Sequence, residues 1–139
     1  VIQALIAASW DRPEMTQDGA DPKHVGYVEA FQYFLIHEAG RIIGMLVGMQ
    51  QSMICIEMHC VMLPGYRGKT AVRALRAFGD WLRTRTRYRK VVAQVPAYNR
   101  PMLHIAARAG MTRAGLNRES VMRGGRLYDQ VIFEKGLHA

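Results

Sequence analysis

The spacing of hydrophobic positions changes several times along the chain, and each change marks an element. Ile2, Leu5, Ile6 and Ser9-Trp10 fit a short amphipathic helix within Val1–Trp10. The Asp-, Pro- and Gly-rich run Asp11 to Lys23 reads as a surface loop, with Val25 to Glu29 as a helical turn or the lead-in to a strand. Phe31 to His37 (FQYFLIH) has the aromatic and β-branched content of a strand. Glu38-Ala39-Gly40 is a tight turn into a second strand, Arg41 to Gln50, whose Gly44 and Gly48 mark bulges or close packing. Gln51-Ser52 turns again into a third strand, Met53 to Leu63. Three strands with such short links form an antiparallel meander.

The period then lengthens. Val72, Leu75, Phe78 and Leu82 recur at helical spacing within Lys69–Arg85, while Arg73, Arg76, Asp80 and Arg83 take another face. Arg76 and Asp80 stand four apart, a pairing worth about 0.2–0.5 kcal/mol. Val91 to Pro96 is a buried strand after that helix, which makes a β-α-β unit and brings a parallel pair into the sheet. Asn99 is placed to cap a second helix, Arg100 to Ala109, with Pro101 in its first turn and Gly110 as its stop. Met111–Arg123 and Arg126–Lys135 form a hairpin around Gly124-Gly125. The expected fold class is α/β with a mixed, mostly antiparallel sheet, in one domain over residues 1–139.

Half of the 139 residues are hydrophobic and 22% are charged, which suits a globular chain with a real core. The formal net charge of +8 favours polyanionic partners without choosing among nucleic acid, acidic membranes and polyphosphate ligands. Cys55 and Cys60 lie an odd number of residues apart in one strand, so their side chains leave opposite faces and a reducing compartment is expected. No apolar run is long enough to cross a bilayer. His59 and Cys60 have no CxxC or HxxxH partner, so no metal site is expected. The chain does not begin with Met, which leaves open residues ahead of Val1.

The organising stretch is MLPGYRGKTAVRAL, from Met62 to Leu75. A strand ends at Pro64-Gly65, a basic glycine turn follows, and a helix begins. A helix start leaves backbone N–H groups unpaired at its positive end, where a phosphate is favoured. The segment CVMLPGYRGKTAVRAL resembles the strand-to-helix region that holds the pyrophosphate of acetyl-CoA in GCN5-related N-acetyltransferases (GNAT). NRPMLHIAARAGM is similar to the later helix of the same family. The element order from about Phe31 to Lys135 resembles that fold, with a V-shaped splay between its central strands, and leaves open whether its N-terminal part is complete.

The resemblance implies an acetyl-CoA-dependent N-acyltransferase acting on an amine. Main-chain groups of Cys60, Val61 and Met62 would meet the pantetheine arm. Those of Gly68, Lys69, Thr70, Ala71 and Val72 would face the pyrophosphate, with Arg67 at the leading basic position, and Asn99 is counted with the cofactor-binding residues. Glu57 or His59, on the third strand, would take the amine proton. The family has Gly where Thr70 stands, Gly or Ala where Val72 stands, and in many members a Tyr acid where Ala106 stands; His104 and Tyr128 are the substitutes near at hand. The splay should leave the strands paired near Ile54–Ile56 and unpaired near Met62–Leu63. The implied location is cytoplasmic. A weaker resemblance to short phage proteins sets beside this a GNAT-like chain without catalysis, serving as an interaction or virion component. Nucleic-acid binding through Arg73, Arg76, Arg83, Arg85 and Arg87 ranks behind both, because only Tyr88 among the aromatics is interleaved with that series.

Overall fold

A computed structural model describes residues 1–11, 16–21 and 27–138. Parts of the Asp11–Lys23 loop, and the lead-in at Val25, lie outside the described residues. The elements run α1 (Ile2–Ser9), β1 (Gln32–Glu38), β2 (Arg41–Gln50), β3 (Cys55–Met62), α2 (Lys69–Arg85), β4 (Lys90–Pro96), α3 (Arg100–Arg108), β5 (Thr112–Arg123) and β6 (Arg126–Gly136). They form the expected α/β arrangement. One six-stranded sheet has the order β1-β2-β3-β4-β6-β5, and β3/β4 is its parallel pair among antiparallel neighbours.

Alternation along the strands sorts side chains between two faces. Ile56 and Met58 of β3, with Leu46 and Val91, pack under α2 around Leu82, while Ala93, Val95, Val131 and Phe133 pack under α3 around Ala106. The opposite face is covered over β2 and β3 by α1, whose Leu5 and Ile6 close on Met45 and Val61. The buried stripe of α2 is Ala71, Leu75, Phe78 and Leu82, so Ala71 rather than Val72 opens it.

Two local expectations change, and one that was left open is resolved. Met53 and Ile54 precede β3 as bends and are exposed, because Ser52 Oγ accepts from the Ile54 and Cys55 N–H groups and holds the chain in a turn. Arg76 does not pair with Asp80: its Nη2 donates to the Arg108 carbonyl at 2.7 Å, and the Asp80 carboxylate lies 3.9 Å from Arg83 instead. A carbonyl at the end of α3 satisfies the guanidinium better than a carboxylate exposed to water. The two β2 glycines mark close packing. A Cβ on Gly44 would sit 2.5 Å from the Val61 carbonyl oxygen and 2.7 Å from the Met62 sulfur. The bulge lies beside it, where Ile36 opposes Gly44 and His37 opposes Ile42, which leaves Ile43 as the extra residue.

The β5–β6 hairpin turns at Gly124-Gly125 with φ of 60° and 72°. Both N–H groups donate to the Asp18 carboxylate, at 2.9 and 2.8 Å, and hold its pKa below the ordinary value. Tyr98, just beyond β4, donates its hydroxyl to the Thr16 carbonyl at 2.8 Å. The segment after α1 is thus fastened to the far end of the sheet.

Gly44→Ala should destabilise the fold by roughly 1–3 kcal/mol, since the nearest obstacle is backbone rather than a movable side-chain tip. Gly115→Ala, where a Cβ meets open space, is the matched control. Urea titration compares them, and equal midpoints would refute the packing argument.

Candidate active site

Strand β3 is drawn to β2 and β4 to β6, and the two part company. The parallel ladder holds Cys55↔Lys90, Ile56↔Val91 and Glu57↔Val92, preceded by N–H donation from Arg89 and Lys90 to the Ile54 carbonyl. Beyond Glu57 the strands are unpaired with each other, although β3 stays paired with β2 to Met62 and β4 with β6 to Pro96. This is the expected splay, paired near Ile54–Ile56 and open at Met62. Leu63 N–H donates to Ile43 and Cys55 accepts from Gln51, so odd-numbered residues of β3 bond towards β2. Alternation turns the main-chain groups of Met58, Cys60 and Met62 towards the gap. Val61 directs its carbonyl at Gly44 instead. Behind the gap is an apolar cavity of about 40 Å³, with Met58, Cys60, Ala93 and Met102 in its wall.

Pro64 and Gly65 (φ 90°) end β3, and Gly68 (φ 77°) opens α2 with no side-chain cap. Val72 N–H donates to the Gly68 carbonyl as the first bond of the helix, so the N–H groups of Lys69, Thr70 and Ala71 stand outside its ladder. A Cβ on Gly68 would meet nothing within 4 Å, so the space over this helix start is open. Ala71 is buried against Ile43 and Met62, which locks the first turn to the sheet. Thr70 lines a groove of about 340 Å³ between β1 and α2, with Phe34, Ile36 and Arg73, and Val72 is half-buried.

Arg67 reaches back to α1. Its Nη2 donates to the Ser9 carbonyl at 2.8 Å and to Asp11 Oδ1 at 2.7 Å, while its buried Nη1 has no protein partner among the described residues. Asn99 is buried as the cap of α3: its side chain accepts from Met102 N–H at 3.2 Å.

Glu57 and His59 project from the face of β3 opposite α2, two residues apart. His59 Nε2 lies 3.3 Å from Glu57 Oε1, and Gln51 Nε2 donates to Glu57 Oε2 at 2.8 Å. The Glu57 side chain is 10% exposed and that of His59 44%. The hydrogen bond from His59 holds the Glu57 carboxyl below its ordinary range against the opposing effect of burial, and Gln94 adds a smaller push downward. Gln51 and Gln94 were not among the residues expected here. Gln51 sits in a turn without periodicity, and only the register Gln50↔Ile56 brings it beside Glu57. Cys60, on the other face, has its thiol pushed up to about 12 by burial, so it is inert as a nucleophile.

At the position of the family's acid, Ala106 is fully buried in the core. His104 lies on the exposed side of α3, and Tyr128 packs edge-on against Tyr98 past the end of β4. Among the described residues no three His, Cys, Asp or Glu side chains gather as a metal site, and no helix is long and apolar enough to cross a membrane.

Residues 1–131 match the model of a family described as "Protein of unknown function (DUF2824)". The chain belongs to the DUF2824 family. No curated protein matches it in sequence. Among solved structures, the DUF2824 chain is similar to the spermidine/spermine N-acetyltransferase SpeG from Vibrio cholerae in complex with manganese ions. That likeness has a TM-score of 0.70 and 19% identity, over 78% of this chain and 66% of that one. A chimera of SpeG from Vibrio cholerae and hSSAT gives a TM-score of 0.70 and 19% identity, over 78% and 68% of the two chains. Mutant forms of the Vibrio cholerae enzyme give 0.71 and 18%, over 78% and 68%. At such identity the likeness is one of fold, and the DUF2824 chain has the GNAT fold.

A carboxyl held below its ordinary value adds stability that is complete above about pH 5 and is lost as pH falls through its folded-state value. Glu57→Gln should therefore flatten the fall in thermal midpoint as pH drops below about 5. An unchanged slope in melts of the variant would show that Glu57 is not part of the acid transition.

Proposed function

We propose that the chain is an acetyl-CoA-dependent N-acyltransferase with an amine acceptor. The observation that carries this reading is the open β3/β4 gap ending beside the uncapped start of α2. The N–H groups of Lys69, Thr70 and Ala71, with the Lys69 ammonium, would hold the pyrophosphate, and the main chain of Cys60 and Met62 would pair with the pantetheine amides. Arg67, at the leading basic position, would contribute its charge, while Nη2 keeps its hold on α1. Bound acetyl-CoA would supply the thioester carbonyl that an amine attacks.

Proton removal from the amine falls to His59. A carboxylate accepts only, so a neutral His59 facing Glu57 must donate from Nε2, and Nδ1 then carries the lone pair. Glu57 fixes the ring and Gln51 fixes Glu57, which makes these two positioning residues and His59 the base. Ala106 has no proton to give, so the leaving thiolate would be protonated from solvent.

Titration calorimetry with acetyl-CoA should give micromolar binding, and affinity no better than millimolar would end the reading. His59→Ala should lower kcat by about 10²–10⁴-fold with acetyl-CoA affinity unchanged. Gln51→Leu should lower kcat less, and Gln51→Asn should keep the wild-type value only if the shorter amide still reaches Glu57.

A second reading rests on the buried Ala106: a GNAT-fold chain without catalysis, serving as an interaction or virion component. It requires no turnover on any amine together with a stable partner complex. Turnover by a dilute monomer removes it.

A further inference from the structure

The chain's positive charge is concentrated on two adjoining helices. Together α2 and α3 carry seven Lys and Arg and one Asp, a formal +6, whereas the whole chain reaches +8 from nineteen basic and eleven acidic residues. On α2, Lys69, Arg73, Arg76 and Arg83 follow one another at intervals of four, three and seven residues, which places them along one line of the helix. On α3, Arg100, His104 and Arg108 stand four apart and form a second line. All seven of these are exposed. The two lines are joined where Arg76 donates to the Arg108 carbonyl.

Carboxylates do little to neutralise this face. Among the described residues, Arg73 pairs with Glu38 at 2.8 Å and Arg83 lies 3.9 Å from Asp80, while Lys69, Arg76, Arg100 and Arg108 have no carboxylate within 4.0 Å. Arg87, expected from sequence to extend the series, turns away to the Met53 carbonyl and Gln50. In its place the fold adds Arg100 and Arg108, from the next helix along the chain.

The acetyl-CoA reading does not account for the face. That site uses the first turn of α2, whereas Arg76 lies about 10 Å and Arg83 about 21 Å further along the axis from Lys69. We infer that the outer face of α2 and α3 binds double-stranded nucleic acid through its phosphate backbone, without reading sequence. A row of cations over this length meets many phosphates, since a duplex carries one negative charge per roughly 1.7 Å of axis. The face interleaves no Phe, Tyr or Trp ring with its cations for stacking unpaired bases: its one ring is the imidazole of His104, and Trp81, the aromatic residue of α2 nearest to it, stacks on Phe78 and meets Phe34 edge-on. That favours a duplex over a single strand.

Fluorescence anisotropy of the full chain with a 24-base-pair DNA of arbitrary sequence tests this between about 50 and 200 mM salt. Micromolar binding at the low end should weaken steeply, and the triple substitution Arg83→Gln, Arg100→Gln, Arg108→Gln should reduce the logarithmic salt slope by about 0.9 for each phosphate that is no longer neutralised. A charge-matched triple on the β5–β6 hairpin, Arg118→Gln, Arg123→Gln, Arg126→Gln, should leave the slope near wild type. Melting curves verify that both variants fold, and single substitutions at Arg83 and Arg108 replace any triple that does not. Absent binding at 50 mM salt overturns the inference, as does equal weakening in both triples, which would reflect net charge alone. Tighter binding to a single-stranded oligonucleotide overturns the duplex assignment. Capture by phosphatidylglycerol vesicles without duplex binding would assign the face to a membrane surface instead.

Discussion

The close approach of β2 to β3 at Gly44 sets the geometry of the molecule. With no side chain on Gly44, the Val61 carbonyl and the Met62 side chain settle against it. That holds the end of β3 over to the β2 side while β4 follows β6. A sheet pulled in two directions at its centre must open somewhere, and it opens past Glu57. The same contact brings Met62 and Ile43 against Ala71, so the position of the α2 start is fixed by the residue that opens the gap beside it. Gap and helix start are consequences of one packing decision.

The chemistry is divided between the two faces of the sheet. Towards α2 and α3 the gap is apolar and its one thiol is inert. Towards α1 it carries the hydrogen-bonded series Gln51, Glu57 and His59. This division comes from strand alternation alone: residues 58, 60 and 62 face one way, and 57 and 59 the other. A hydrogen-bonded polar series and an apolar gap can share one strand because its period is two.

The elements were legible in the sequence because their signals are local. The alternating runs around Gly44, the period of α2, the cap at Asn99 and the Gly124-Gly125 turn each depend on residues within one or two turns. What was not legible depends on partners distant in the chain. That Arg67 grips α1, through the Ser9 carbonyl and Asp11, cannot be read from the residues around it in the chain. Arg76 reads as the partner of Asp80 until α3 ends beside it. Gln51 carries no pattern at all, and the two basic lines on α2 and α3 become one face only when those helices touch. The glycine positions show the same limit: spacing could say that Gly44 and Gly48 were special, but only the neighbouring strand says why.

The Asp18 contact with the hairpin tip bears on the order in which the chain assembles. It joins residues 106 and 107 positions apart, among the longest separations bridged by a hydrogen bond in the molecule. Its acceptor is a single carboxylate, and its two donors exist as a pair only after Gly124 and Gly125 have adopted their left-handed turn. A chain emerging from its N-terminus therefore exposes Asp18 long before the turn that receives it is made. Closure over so long a loop costs entropy that these two bonds, with a third from Asp18 N–H to the Met122 carbonyl, cannot meet until β5 and β6 have already formed. Residues 16–21 are consequently expected to settle last, as a strap drawn across a finished sheet, and to come loose first when the protein unfolds.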